Sequence, residues 1–316
     1  MAVRFNLHDL MHPFDRSARS KLEAVPLLDK ALTAYGKVYT DRMWRHYLLS
    51  NGVRLGPRQL PEIYRMLPPI CDALGIEPPE LYLMEGAQPN AFAVGIERPM
   101  LVLYSRLLDS LDEDEIRAVI AHECGHIAFD HSLYRQIGDL VAHGGVSILP
   151  NVLGLKTLGD LAFGEALVNW QHKSELSADR VAAVCTGGPE AMKRAIFHMV
   201  GVPKWLPGEI NYEEFEAQTV EFDAFKLNSI WNRLIDRDVR IGTPTHPMPI
   251  ARVKYLQDWA RTDAFRILTG TVEHRRDQAP TRCERCQNQL QPTWRFCQTC
   301  GTEVVGATGT IALEGP

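Results

Sequence analysis

The stretch Ala121-His122-Glu123-Cys124-Gly125-His126-Ile127 constrains this chain more than any other. It reads as HExxH on a helix. Asp112 can cap the first turn, with Glu115 three residues on as its capping-box partner. Ile116, Val119, Ile120 and Ile127 recur at helical spacing and give the helix a face to bury. On a period of about 3.6 residues, His122 and His126 lie one above the other, so both imidazoles can reach one metal ion. Glu123 sits beside them, where its carboxylate can touch a water at the metal without itself being a ligand.

HExxH alone also occurs in inert helices. A second helical segment, His172-Lys-Ser-Glu-Leu-Ser-Ala-Asp179-Arg, decides the reading. Glu175 and Asp179 are i and i+4 on one face, with Ala178, Val181, Ala182 and Cys185 as an apolar stripe beside them. A hydrolytic zinc site takes three protein ligands and keeps one position open, which makes Glu175 the natural third ligand. Asp179, one turn on, is placed to accept the outward N–H of a ligating histidine. Without HExxH, the two carboxylates would read as a solvated face.

The four C-terminal cysteines are the second strong pattern. Cys283 and Cys286 form one CxxC, and Cys297 and Cys300 form another after a gap of ten residues. Two facing knuckles supply the four thiolates of a closed tetrahedral zinc site, with Trp294 and Phe296 near enough in sequence to cover it. A disulfide pair or redox motif is the competing reading, but no thioredoxin-like pattern surrounds the cysteines. So short a module cannot bury a core, and metal binding of about 10–16 kcal/mol would supply most of its folding free energy. The expected cofactors are therefore two zinc ions, one catalytic and one structural. The partner of the ribbon is open between protein, nucleic acid and the chain's own catalytic domain, with a protein partner favoured.

The remaining cysteines, Cys71, Cys124 and Cys185, sit in apolar helical patterns and read as buried thiols. That usage, with no apolar signal segment after Met1, points to a reducing, cytoplasmic setting. A net charge of -5 argues against nucleic acid or an anionic membrane as the main partner.

Residues 1–56 read as a helical segment, followed by a helix from Pro57 or Pro61 to Leu74 that stops at Gly75. Strand-like pieces follow at Leu81–Leu83, Ala91–Val94 and Met100–Leu103, the last two joined by a turn over Gly95–Pro99. The fold class is α+β, mainly helical, with a small antiparallel sheet before the HExxH helix. Ile137–Trp170 is rich in Leu, Val and Gly, yet spanning a bilayer takes about 20 uninterrupted apolar residues. Asp139, His143, Pro150 and Lys156 interrupt it. It reads as a helical hairpin or flap beside the cleft, and contact with a membrane surface through 137–170 stays open. A short helix is expected over Pro189–Val200 and a longer amphipathic one over Tyr212–Arg237, and a last one runs through Trp259. The domain reading is an HExxH-bearing unit over 57–262, a polar linker over 263–282, the ribbon over 283–304 and a disordered tail over 305–316.

These residues resemble a known family, the gluzincin metallopeptidases of the HtpX and CAAX prenyl endopeptidase type (metallopeptidase family 48). HECGH with Glu175-Leu-Ser-Ala-Asp179 carries the likeness. Asn90-Ala-Phe-Ala-Val-Gly95 resembles the family's Asn-Ala-Phe edge strand, and Thr245-His246-Pro247 with Arg252 resembles its His-Pro motif. The resemblance implies a zincin fold and an endopeptidase acting on peptides or unfolded protein segments. His122, His126 and Glu175 would bind the catalytic zinc, and Glu123 would be the general base. Asp179 would orient His122, His246 and Arg252 would face the oxyanion, and Asn90, Ala91, Phe92 and Ala93 would pair with substrate. Read without the resemblance, His246 is a loop histidine and Asn90 a turn residue. The chain departs from many relatives in having no clear transmembrane pair between HExxH and the third ligand. The alternative function is a latent peptidase-fold module that binds or regulates through its ribbon.

Overall fold

The computed structural model describes residues 5–23, 41–132, 159–201, 211–225, 249–278, 282–283, 285–290 and 299–300. Its centre is the HExxH helix, Glu113–Ala128. The expected capping box forms. Asp112 Oδ1 accepts from the Glu115 N–H, and Glu115 Oε2 accepts from the Asp112 N–H, both at 2.9 Å. Glu115 is itself buried, and its carboxylate also accepts from Arg194 and His198 on the helix Glu190–Met199. One glutamate thus starts the central helix and moors a neighbour to it. From Ile116 to His126 nearly every residue of this helix is buried.

The partner of the central helix is Gly159–Thr186, which carries Glu175 and Asp179. The two meet at Gly125, where an added Cβ would lie 3.1 Å from Ala178 Cα and from Val181 Cβ. The glycine inside HExxH therefore sets how closely the two helices can approach. The first turns of Gly159–Thr186 fall within the stretch read as a flap, and 133–158 lies outside the described residues. Among the described residues, no helix is long and apolar enough to cross a membrane.

The sheet has four strands, β1 (Val53–Arg54), β2 (Glu80–Met84), β3 (Ala91–Val94) and β4 (Met100–Tyr104), in the order β1-β2-β4-β3. It is mixed rather than purely antiparallel. β3 turns back onto β4 with Phe92 opposite Val102, as expected, but β2 lies parallel on the far side of β4 with Tyr82 opposite Val102. The physical reason is burial. Met100 to Leu103 form an unbroken apolar run with all four side chains buried, and such a strand belongs between two others. The β3–β4 turn is held by Asp41, whose carboxylate accepts from the N–H groups of Ile96, Glu97 and Arg98. Gly95 opens that turn at φ +92°, and a Cβ there would fall 2.5 Å from Arg98 O.

Two further expectations are corrected. The Pro61–Leu74 helix is two pieces, Pro61–Tyr64 and Leu67–Leu74, because Pro68 has no N–H to offer the Tyr64 carbonyl. It does stop at Gly75, at φ +71°. The linker read over 263–282 is largely a helix, Asp263–Gln278. Its polar composition hides a narrow apolar stripe in which Phe265 and Leu268 are buried, and Phe265 packs edge-on against Trp259. The helices Glu190–Met199, Tyr212–Phe225 and Pro249–Ala260 fall where periodicity put them, while 226–248 lies outside the described residues.

Gly125→Ala tests the helix seam. In an exposed helix, Gly→Ala gains about 1 kcal/mol of propensity. Here overpacking of about 1–3 kcal/mol should outweigh that gain and lower the urea midpoint of the metal-free protein. A raised midpoint would show that the seam has slack.

Candidate metal centre

His122 and His126 rise from consecutive turns of the central helix, and Glu175 faces them from Gly159–Thr186. All three are buried, as are Glu123 and Asp179. His122 Nε2 and His126 Nε2 are 3.1 Å apart. Glu175 bridges them, with Oε2 at 3.4 Å from His122 Nε2 and Oε1 at 3.3 Å from His126 Nε2. Donor atoms of His122, Glu123 and His126 also fall within 4.8 Å of one another, so this group can hold a metal ion with either glutamate close by.

The outward nitrogens explain why the inward ones converge. His122 Nδ1 lies 2.9 Å from Asp179 Oδ1, and an ionised carboxylate only accepts, so that nitrogen carries the proton. His126 Nδ1 lies 2.9 Å from His131 Nδ1, and His131 Nε2 in turn lies 3.1 Å from Asp15 Oδ2. Asp15 also only accepts, which assigns the His131 proton to Nε2 and leaves its Nδ1 to accept from His126. Both ligand-side Nε2 atoms then point lone pairs at one spot beside a carboxylate. A cation makes that arrangement favourable, and two imidazoles with carboxylates suit a borderline divalent ion such as zinc.

The electrostatics agree. Burial alone would lower the pKa of His122, but Asp179 and Glu175 outweigh it and push it up to about 9. Without a metal, a proton takes the place of the cation. Burial would raise Asp179, yet the Arg252 charge and the hydrogen bonds from Arg252 and His122 hold it below the ordinary carboxylate range.

Arg252, on Pro249–Ala260, is buried beside Asp179 and Glu175. Its Nε and Nη2 bind the two oxygens of Asp179 at 2.9 and 2.6 Å, and Nη1 lies 3.3 Å from Glu175 Oε2. The expected place opposite an oxyanion is not the one this guanidinium occupies. It is committed to the carboxylates, which leaves it a supporting rather than a reacting position. His246 lies outside the described residues.

Asn90 and β3 stand where the sequence reading put them. β3 ends the strand order among the described residues and packs beside the central helix. The Asn90 side chain accepts from the Ala91 N–H, and its carbonyl accepts from the Tyr104 N–H. At the C-terminus, ligand atoms of Cys283, Cys286 and Cys300 lie within 4.8 Å of one another, while Cys297, Trp294 and Phe296 lie outside the described residues. The Cys283 carbonyl accepts from the Gln287 N–H, which closes a knuckle with Gln287 at φ +60°. Cys71 and Cys124 are buried free thiols, and Cys185 is only partly covered.

Asp15, His131 and Ser177 were passed over by the sequence reading. The available signal was a second histidine, His131, five residues beyond His126 and so near the same helix end.

A buried pair of histidines over a bridging glutamate, held between two packed helices beside a small mixed sheet, defines a zincin-like metallopeptidase domain. The model described as Peptidase family M48 matches residues 57–260, and the chain belongs to that family. It is 26% identical over 266 residues to a plastoglobule-localized metallopeptidase 48, chloroplastic, of Arabidopsis thaliana, covering 82% of this chain and 74% of that one. It is 28% identical over 268 residues to a protease HtpX homolog of Ralstonia pickettii, covering 78% of this chain and 90% of the relative. A protease HtpX homolog of Acidiphilium cryptum is 26% identical over 225 residues.

The raised His122 pKa gives a linkage prediction. A metal must displace that proton, so apparent affinity at this site should fall as pH drops below about 9. With Cys297 and Cys300 changed to Ser to isolate the site, zinc titrated at neutral pH should release about one proton from His122. Calorimetry in buffers of different ionisation enthalpy measures this. Heats independent of buffer would contradict it.

Proposed function

We propose that the chain is a zinc-dependent endopeptidase that hydrolyses peptide bonds in peptides or unfolded protein segments. The observation that carries this reading is the convergence of His122, His126 and Glu175 on one buried point with Glu123 beside it. Glu175 is taken as the third ligand rather than Glu123, because each of its oxygens faces a different ring nitrogen. Zinc held there would supply Lewis acidity, lowering the pKa of a water to about 7 and polarising the scissile carbonyl.

Glu123 acts as general base: it accepts the proton of the attacking water and returns it to the leaving amine. Its burial beside the two imidazoles suits that task. Asp179 holds the His122 ring by its Nδ1–H, and Arg252 holds Asp179 and Glu175 together. β3 offers extended substrate an edge to pair with, main chain to main chain, through Asn90, Ala91, Phe92 and Ala93. Its place at the end of the strand order beside the central helix supports that use. Cys283, Cys286, Cys297 and Cys300 would hold a second, structural zinc as a ribbon, a reading supported by the three grouped thiols Cys283, Cys286 and Cys300. The ribbon is assigned to docking a protein partner.

Glu123→Gln should keep its zinc and lose peptide cleavage by about 100- to 10,000-fold, as expected for a missing general base. Glu175→Ala should lose both. A peptide-library digest beside elemental analysis reads the two together. Cleavage by Glu123→Gln at the wild-type rate would end the hydrolytic assignment. Wild type that holds zinc at this site but cleaves nothing would favour the latent binding module instead.

Metal content tests the ribbon separately. Two zinc ions per chain are expected, and changing Cys297 and Cys300 to Ser should remove one of them. A single zinc in metal-replete wild type would remove the ribbon from this account.

A further inference from the structure

The family match begins at residue 57, yet one chain of contacts to the metal centre starts far outside it, at Asp15. Asp15 lies in the helix Pro13–Glu23 and is buried, as is His131 just past the end of the central helix. A buried carboxylate is costly unless fully engaged, so its partners say what it is for. Asp15 Oδ2 faces His131 Nε2 at 3.1 Å and accepts from the Ser177 hydroxyl at 2.5 Å. Ser177 stands between Glu175 and Asp179 on the ligand helix, and its Oγ accepts from the His12 N–H at 2.9 Å. The edge of the Trp170 ring closes over His131, with centroids 5.3 Å apart. Arg19 donates to the Phe129 carbonyl at 2.6 Å and ties the same N-terminal helix to the end of the central helix.

We propose that Asp15 and His131 are positioning residues of the metal centre, fixing His126 so that it offers Nε2 to the ion. The proposal rests on the ligand set given above. Asp15 can only accept, so it holds the His131 proton on Nε2. His131 is then left with a bare Nδ1, which can only accept, and His126 Nδ1 lies 2.9 Å away to donate to it. That selects the single neutral tautomer of His126 able to ligate through Nε2. It also stops the ring from rotating. Were the His131 proton on Nδ1 instead, it would compete for the lone pair of His126 and favour the wrong tautomer. The N-terminal helix is thus part of the site, and it reaches both ligand helices at once, through His131 just past the end of one and Ser177 on the other. Burial would raise the pKa of Asp15, but His131, Ser177 and Trp170 together hold it below its ordinary value, so the acceptor stays ionised.

The test uses full-length protein, stripped of metal and titrated with zinc against a chromophoric chelator. His126→Ala supplies the blank for the cysteine site. Asp15→Asn keeps the size of the side chain and removes its charge, and His131→Phe removes the relay. Each should weaken zinc at the histidine site by about 10- to 100-fold. Because Asp15 acts through His131, the double variant should match His131→Phe alone to within about two-fold. Cobalt-loaded Asp15→Asn, read as a difference from His126→Ala, should show a shifted visible ligand-field band, which a purely structural role would not produce. Wild-type affinity and spectrum in Asp15→Asn would overturn the proposal, as would losses that multiply in the double variant. Should the substitutions fail to fold, zinc-loaded wild type with labelled histidine decides by nitrogen–proton correlation. His131 must carry its proton on Nε2, and a proton on Nδ1 overturns the relay. If His126→Ala keeps the full metal complement, the failure belongs to the ligand set and not to the relay.

Discussion

Burying carboxylates in an apolar core is the constraint that orders the rest of this structure. Asp15, Glu123, Glu175 and Asp179 are almost wholly removed from solvent, and Arg252 is the buried guanidinium among them. If all four are ionised, four negative charges face one positive charge. The desolvation cost of such a group is several kcal/mol per ion, so it has to be met by close pairing or by a bound cation. Arg252 meets part of it by binding both oxygens of Asp179 while touching Glu175. A divalent ion at the two histidines would reduce the remaining three charges to one. The raised pKa of His122 is the same demand expressed in protons.

Meeting that demand requires two helices to be closer than most side chains allow. Gly125 provides the approach against Ala178 and Val181, and the approach brings Glu175 within 3.4 Å of both rings. The central helix can be this deeply buried because its polar ends are satisfied locally. The capping box at Asp112 and Glu115 closes its first turn, and Glu115 reaches on to Arg194 and His198. On the other side lies the sheet, whose order follows from the apolar run of β4 taking an inner position. The result is a donor cluster walled by core on every described side, where a charge interacts far more strongly than it would in water.

What could be read from the sequence was whatever depends on spacing within one element. The capping box, the i, i+4 histidines and the Glu175–Asp179 pair all follow from a single helical period, and each stands in the structure as read. The Gly95 turn was legible for the same reason, since β3 and β4 are neighbours in sequence. The parallel pairing of β2 with β4 was not, because it depends on which strand has most to bury and not on any local turn. The helix Asp263–Gln278 escaped notice because the buried apolar residues Phe265 and Leu268 make too thin a stripe to stand out among charges. Arg252 was read from its motif as facing an oxyanion, whereas it binds Asp179, 73 residues away on another helix, a contact that no local spacing reveals. Asp15 and His131 are separated by 116 residues, and no periodicity connects them. Such contacts are visible only once the helices are packed.

The two histidines are supported differently, and the difference is chemical. His122 meets a carboxylate directly, Asp179, which an arginine holds in place. His126 meets a carboxylate only through an intervening imidazole. Direct contact with a charge makes the His122 ring more electron-rich and its ligand nitrogen more basic, the usual effect of a carboxylate behind a metal-binding histidine. An imidazole relay transmits less of that charge but fixes orientation just as firmly, since each hydrogen bond in it has only one workable direction. As candidate ligands, both rings are held in orientation, and His122 would be the stronger donor of the two. Both supports end on residues outside the central helix, Arg252 on Pro249–Ala260 and Asp15 on Pro13–Glu23. Folding of these flanking helices is in that way coupled to the geometry of the donors, and a metal bound there would stabilise the N-terminal segment along with the core.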